Sequence, residues 1–463
     1  MNFLTLAEQR KNELIEELQQ IIRIKSVLDE ENKTEDAPFG NGPKKALEWL
    51  LSKASKEGFK VKNVDHYAGH IEMGEGKEIL GILCHVDVVP AGDNWTYPPF
   101  EGIVKDGKLY GRGAIDDKGP TMAAYLAMKM VKDAGIPLSK RVRLIIGTDE
   151  ESGFRCVEHY FKKEEMPDIG FAPDADFPLI NAEKGIAVIQ FSQTSPLSHN
   201  EQLVSFKSGD RHNMVPDFAK AIVKNVSSDF EKEFYEYFKQ FNEEATFTRE
   251  GEQVIIAVTG KSAHAMEPEK GINAAVMLAK FLKQHLSTDA SKAFVSFIVD
   301  AFSDVYGKAL GFDYIDEMSG PTTLNAGVVS FDSERGGNIL VSMRYSVTYP
   351  YEEKIREATE RLSKYPFNLT VISNSSPHYI PEDDELIQTL LKVYRRYTGD
   401  ESKPLSTGGG TYARVLKKGV AFGSLFPGEP DVAHQKDEYV VIDNLVKSAA
   451  IYAEAIIELA AKK

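Results

Sequence analysis

Five short stretches of this chain carry residues able to do chemistry. "CHVDVVP" holds His85 and Asp87, two residues apart and therefore on the same side of extended backbone. "GRGAIDDKGP" holds Asp116 and Asp117 among glycines, and "GTDEESG" runs out of an apolar segment into Glu150 and Glu151. "APDADFP" carries Asp174, and "PDVAHQKDEY" carries His434. Each has an ordinary explanation alone: a strand histidine is usually a hydrogen-bonded core residue, and adjacent acids usually lie on a solvated turn. Cys84 reads as core packing, because its side chain should face away from that of His85. Taken together they demand more. Carboxylates gathered at one sheet edge must be neutralised, since burying unpaired ions is costly. Arg112 and Lys118 supply too little positive charge, whereas two divalent cations would suffice. Carboxylates with two imidazoles suit zinc, manganese or cobalt. Against Asp116, Glu151 and Asp174, two such cations leave about one positive charge, useful for activating water and holding an oxyanion.

The elements that must position these groups are legible in the hydropathy pattern. "EILGILCHVDVVP" and "RVRLIIGTDE" are nearly continuous apolar runs of strand length, and "IGFAPDADFPLI" suggests another. "PKKALEWLLSKASKEG" and "GPTMAAYLAMKMVKDAG" have helical spacing, the second with Gly135 placed to stop it. Strands apolar on both faces and separated by helices imply a sheet covered on each side, with its functional residues at the strands' carboxyl ends. From about residue 186 the strands alternate instead, as in "GIAVIQFSQ", "EQVIIAVTGKSAH" and "NILVSMRYSVTY". From about Glu382 the first style resumes. The expected architecture is an α/β catalytic domain with a mixed, mostly parallel sheet flanked by helices, built from residues 1–185 and 381–463. An inserted α+β lid domain would occupy residues 186–380, its two halves related by a divergent duplication.

A chain of 463 residues is too long for one compact core. Its net charge of −15 argues against a nucleic-acid or anionic-membrane partner. Two cysteines without a CxxC spacing cannot build a disulfide framework and fit a reducing cytosol. The first residues read as an amphipathic helix with Leu14, Leu18, Ile21 and Ile22 on one face, not as a signal peptide. No apolar run approaches the roughly 18 residues of a membrane span. A cytoplasmic protein is expected.

The ordered set H-x-D, G-R-G-x-x-D-x-K-G, D-E-E, P-D and a late histidine resembles the di-metal aminopeptidase and deacylase superfamily, often called M20-like. "GRGAIDDKGP", "SGDRHNMVP", "VSMRYSV" and "STGGGTYAR" are similar to motifs of its PepV-type dipeptidases. The resemblance implies that His85, Asp116 and Asp174 bind one cation and that Asp116, Glu151 and His434 bind the other. Asp87 would accept a hydrogen bond from His85 and fix its tautomer, and the Asp116–Asp117 peptide is often cis in such proteins. Glu150 would be the general base toward a water activated between the two cations. His264 in "GKSAHAMEP" would donate to the oxyanion. Asn213 and Arg344 would contact substrate, with Gly408, Gly409, Gly410 and Thr411 approaching its C-terminal carboxylate. Asp117 is the candidate for the substrate's amine. The implied activity is hydrolysis of unblocked dipeptides by a monomer. An N-acyl-amino-acid deacylase and a non-catalytic metal- or peptide-binding relative are the alternatives.

Overall fold

The computed structural model describes residues 2–241 and 244–462. The chain divides into two compact units, one of Met1–Asn181, Tyr379–Leu405 and Gly410–Lys463, the other of Ala182–His378 and Ser406–Gly409.

In the first unit the strands β1 (Lys60–Val64), β2 (Ala68–Met73), β3 (Ile79–His85), β4 (Arg141–Gly147) and β5 (Ile169–Ala172) run in the order β1-β2-β4-β3-β5, followed by Gly419–Ala421. The β4–β3, β3–β5 and β5–Gly419 pairings are parallel, whereas β1–β2 and β2–β4 are antiparallel. The sheet is therefore mixed, with its parallel strands at the centre. The apolar runs are explained by burial on both faces. Ile82, Cys84, Leu144 and Ile146 join one core cluster with Met122, Leu126 and Tyr452 from the helices Lys118–Asp133 and Ile442–Ala460. Leu83 and Ile145, one residue out of phase, join a second cluster with Cys156, Tyr160 and Tyr412. His85 follows two residues after Leu83 and so faces the second cluster, its ring 6.1 Å from that of Tyr412.

The N-terminal helix breaks at Arg10 into Phe3–Gln9 and Lys11–Ile22. Lys118 Nζ donates to the carbonyls of Ile21 (3.0 Å) and Ile24 (2.7 Å), so this buried ammonium caps the end of the second helix. Burial is the chief reason its pKa falls to about 7.

Among the described residues, the second unit is built on a continuous antiparallel sheet of eight strands, with helices and a small separate hairpin at Ile315–Asp316 and Gly320–Pro321. The alternating burial of Phe218–Lys224 shows why: one face meets the core and the other meets solvent. That core gathers Phe230, Phe234 and Phe238 against Phe281. The two halves expected of the insertion share this single sheet. Ser406–Gly409, expected to lie with the catalytic domain, groups with this unit. Among the described residues, no helix is long and apolar enough to cross a membrane.

Candidate metal centre

Parallel pairing sets His85 beside Gly147, so β3 and β4 end at the same level. The chain leaving β4 then supplies Asp149, Glu150 and Glu151, and the chain leaving β5 supplies Asp174. The loop before the helix Lys118–Asp133 supplies Asp116, whose peptide bond to Asp117 is cis. His434, with a φ of 62°, comes from the loop before Tyr439–Val441.

These side chains form two triads that share Asp116. His85, Asp116 and Asp174 place ligand atoms within 4.8 Å of one another, as do Asp116, Glu151 and His434. His85 Nε2 lies 3.0 Å from Asp116 Oδ1 and 3.5 Å from Asp174 Oδ2. His434 Nε2 lies 2.9 Å from Asp116 Oδ2 and 3.0 Å from Glu151 Oε2. The buried Nε2 of His85 has no hydrogen-bond partner, although two carboxylates lie this close. A buried ring nitrogen left without a partner among converging carboxylates fits a cation between them, and His434 Nε2 meets Glu151 Oε1 at 3.1 Å in the other triad. Oxygen and imidazole nitrogen are also the right donors. Glu150 stands beside Glu151 but belongs to neither triad.

The electrostatics agree. Burial opposes charge on both imidazoles, yet neighbouring carboxylates push His85 well above its ordinary pKa and His434 up to about 11. Burial and the charge of Asp116 raise Glu151 to about 7. Burial, with the nearby carboxylates, raises Glu150 well above the usual carboxylate range.

Asp87 meets His85 with two of its groups: His85 Nδ1 is 3.0 Å from the backbone carbonyl of Asp87 and 3.5 Å from its carboxylate, which is one of the groups that raise the ring's pKa. That carboxylate accepts the backbone N–H groups of Glu150 (3.2 Å) and Glu151 (3.1 Å) and so shapes the turn that carries both glutamates. Asp117 cannot meet a substrate amine, because it is fully buried. Its Oδ2 accepts from His85 N–H at 3.1 Å and from Thr121 Oγ1 at 3.2 Å. Asp149, which the resemblance left without a role, holds Arg155 through two bonds of 2.7 Å.

In the second unit, backbone bonds place Asn213 beside His264. Ala265 N–H donates to Asn213 O at 2.9 Å, and Met214 bridges to His264. His264 Nδ1 accepts from Met266 N–H at 3.2 Å, which leaves the ring proton on Nε2. Arg344 Nη1 donates to Gly408 O at 3.0 Å, bringing together two of the residues expected at a substrate carboxylate. The Gly409 N–H is already engaged by Thr407 Oγ1 at 3.0 Å, so it is unavailable for that task. Gly410 and Thr411 belong to the first unit, where Thr411 Oγ1 accepts from Ala413 N–H.

Sequence reasoning missed three residues. Glu438 is fully buried and binds the loop of Asp116 through three backbone N–H groups. Its only sequence signal was an acid four residues after His434. Tyr412 closes the core under His85, and Asn325 holds the carbonyls of His212 and Met214. Nothing in their local sequence announced either.

Comparison with known proteins gives a consistent picture. A family model described as Peptidase family M20/M25/M40 matches residues 81–458. A Bacillus subtilis protein named "Putative dipeptidase YtjP" is 50% identical over 467 residues, covering 99% of this chain and 100% of the relative. A Staphylococcus epidermidis protein named "Putative dipeptidase" is 41% identical over 456 residues and 97% of each chain. Among solved structures, human carnosine dipeptidase 1 matches with a TM-score of 0.59 over 98% of both chains at 15% identity, a likeness of fold.

Proposed function

The chain belongs to peptidase family M20/M25/M40 and is a metallopeptidase, and from that premise we propose that it hydrolyses the peptide bond of unblocked dipeptides. The observation that carries this reading is the pair of triads sharing Asp116, with Glu150 adjacent and outside both. His85, Asp116 and Asp174 would hold one divalent cation and Asp116, Glu151 and His434 the other, from zinc, manganese or cobalt. When bound, such cations lower the pKa of water and polarise a carbonyl.

The chain's own residues do the rest. Glu150, raised by burial and by its acidic neighbours, takes the proton of the attacking water and delivers it to the leaving amine. Asp87 holds the backbone of Glu150 and so aims that carboxylate. His264, with its proton on Nε2, is assigned the hydrogen bond to the developing oxyanion. Arg344 and Asn213, with the backbone of Gly408, Gly410 and Thr411, are assigned to the substrate's C-terminal side, where a planar guanidinium suits a carboxylate. The inserted unit, roughly residues 186–380, would act as the lid that carries His264, Asn213 and Arg344. The enzyme is read as a cytoplasmic monomer with a small peptide as its partner, in keeping with its acidic charge and two free, buried cysteines.

The test is an assay over dipeptides, tripeptides and N-acetylated amino acids, with chelation followed by readdition of manganese or zinc. Dipeptides should be cleaved fastest, and activity should vanish on chelation and return with metal. Faster cleavage of N-acetylated amino acids would overturn the dipeptidase assignment. Chelation without effect would overturn the metal site.

A further inference from the structure

Arg112 and Glu438 stand 326 residues apart in sequence and form an ion pair of 2.6 Å between Nη1 and Oε2. Neither is more than 1% exposed. Burying such a pair is weak evidence of a stabilising purpose, because desolvation cancels much of the attraction. What the pair joins suggests a different one. Glu438 Oε1 accepts the N–H groups of Gly113 (3.0 Å), Ile115 (3.1 Å) and Asp116 (3.3 Å). Arg112 Nη2 donates to the carbonyls of Pro90, Ala91 and His434, each at 3.3 Å. Its guanidinium lies 5.2 Å from the centre of the Trp95 ring, and Trp95 Nε1 in turn donates to Ala91 O at 2.7 Å. One charge pair therefore grips the backbone of Asp116 at one end and the backbone of His434 at the other. Those are the two residues whose side chains meet at 2.9 Å.

We propose that Arg112 and Glu438 are positioning residues that set the separation of Asp116 from His434 and thereby the affinity of the cation held by Asp116, Glu151 and His434. This rests on the two-cation reading above. A lysine at 112 could satisfy Glu438 as a point charge. It could not extend a planar fork to the carboxylate and three carbonyls together.

The test is calorimetric titration of metal-free, full-length protein with manganese, beside steady-state kinetics at saturating manganese. Wild type should bind two ions. Arg112→Lys should weaken the ion held by Asp116, Glu151 and His434 by about 10–100-fold, the usual effect of removing a group that orients a ligand, and weaken the other ion clearly less, because the guanidinium reaches the backbone of His434 and touches neither His85 nor Asp174. With saturating manganese the dipeptide KM should be unchanged and kcat restored, and the loss of affinity should be smaller than that of His434→Ala, which removes a ligand outright. Glu438→Gln should act in the same direction. If either single variant fails to fold, Arg112→Met with Glu438→Gln leaves no unpaired charge and carries the same expectation. Wild-type affinity for both ions in Arg112→Lys would overturn the proposal. So would equal weakening of both ions with a lowered Tm of the metal-free protein. A wild type that binds one ion or none overturns the two-cation reading instead.

Discussion

Replacing Asp87 separates two accounts of the site. If its carboxylate orients His85, then Asp87→Asn should loosen the cation held by His85. The structure gives His85 Nδ1 its shorter contact, 3.0 Å, with the backbone carbonyl of residue 87, which any side chain retains, and a longer one of 3.5 Å with the carboxylate. The carboxylate's closer contacts are the N–H groups of Glu150 and Glu151, one on each oxygen. Asparagine offers one acceptor oxygen for those two amides and turns an NH2 toward the other. One charge-assisted hydrogen bond is lost, worth about 1.5–3 kcal/mol. If all of it is felt at the transition state through a misplaced Glu150, kcat falls about 10–150-fold, at 1.4 kcal/mol per decade. The assay pairs dipeptide kinetics at saturating manganese with metal titration and a Tm that confirms folding. The expected result is a fall in kcat with little change in KM and both ions still bound. Loss of one ion, with kcat intact once manganese is saturating, would refute the reasoning.

Three further outcomes follow from the same structure. Glu150→Gln should lose most of kcat while binding both ions, whereas Glu151→Ala should lose one ion by metal analysis; the reverse pattern would exchange their roles. Gly147→Ala would set a Cβ 2.1 Å from Tyr412 Oη, destabilising the fold by about 1–3 kcal/mol; denaturant unfolding should show part of this recovered by adding Tyr412→Phe. His70 is held down to about 3, first by burial and then by the charges of Arg143, Lys62 and Arg141. The unfolded chain therefore binds a proton below its ordinary pKa of about 6.5 that the folded chain refuses, so the stability this neutral ring confers above that pH is lost on acidification. His70→Asn should flatten that loss by up to about 1.4 kcal/mol per pH unit in metal-free protein, and parallel unfolding curves for the two proteins would contradict it.

Much of the architecture was legible because burial leaves a trace in residue type. Continuous apolar runs at Ile79–His85 and Arg141–Gly147 mark strands buried on two faces, and the alternation in Phe218–Lys224 marks a strand buried on one. The acids and histidines that converge at the metal centre were visible for a related reason. All but His434 follow closely from a strand or stand in a short glycine-rich loop, so local spacing nearly sets their place; His434 lies in the longer segment between Ser424–Leu425 and Tyr439–Val441. The antiparallel flank β1–β2 was less visible, because Lys60–Val64 is mostly exposed and carries little apolar pattern.

The sequence by itself determined the family, the layered fold and the residue types able to hold cations, since all of these depend on composition and short-range order. Only the tertiary structure decided which group meets which. Asp87 and Asp117 are both acids next to the motif histidine. One binds the amides of Glu150 and Glu151, and the other lies sealed beneath His85. Arg112 and Glu438 meet across most of the chain, and Arg344 finds a carbonyl of the glycine loop. A hydrogen bond requires a partner at a set distance and direction. Residue type names what a group can do, and the folded backbone selects the partner with which it does so.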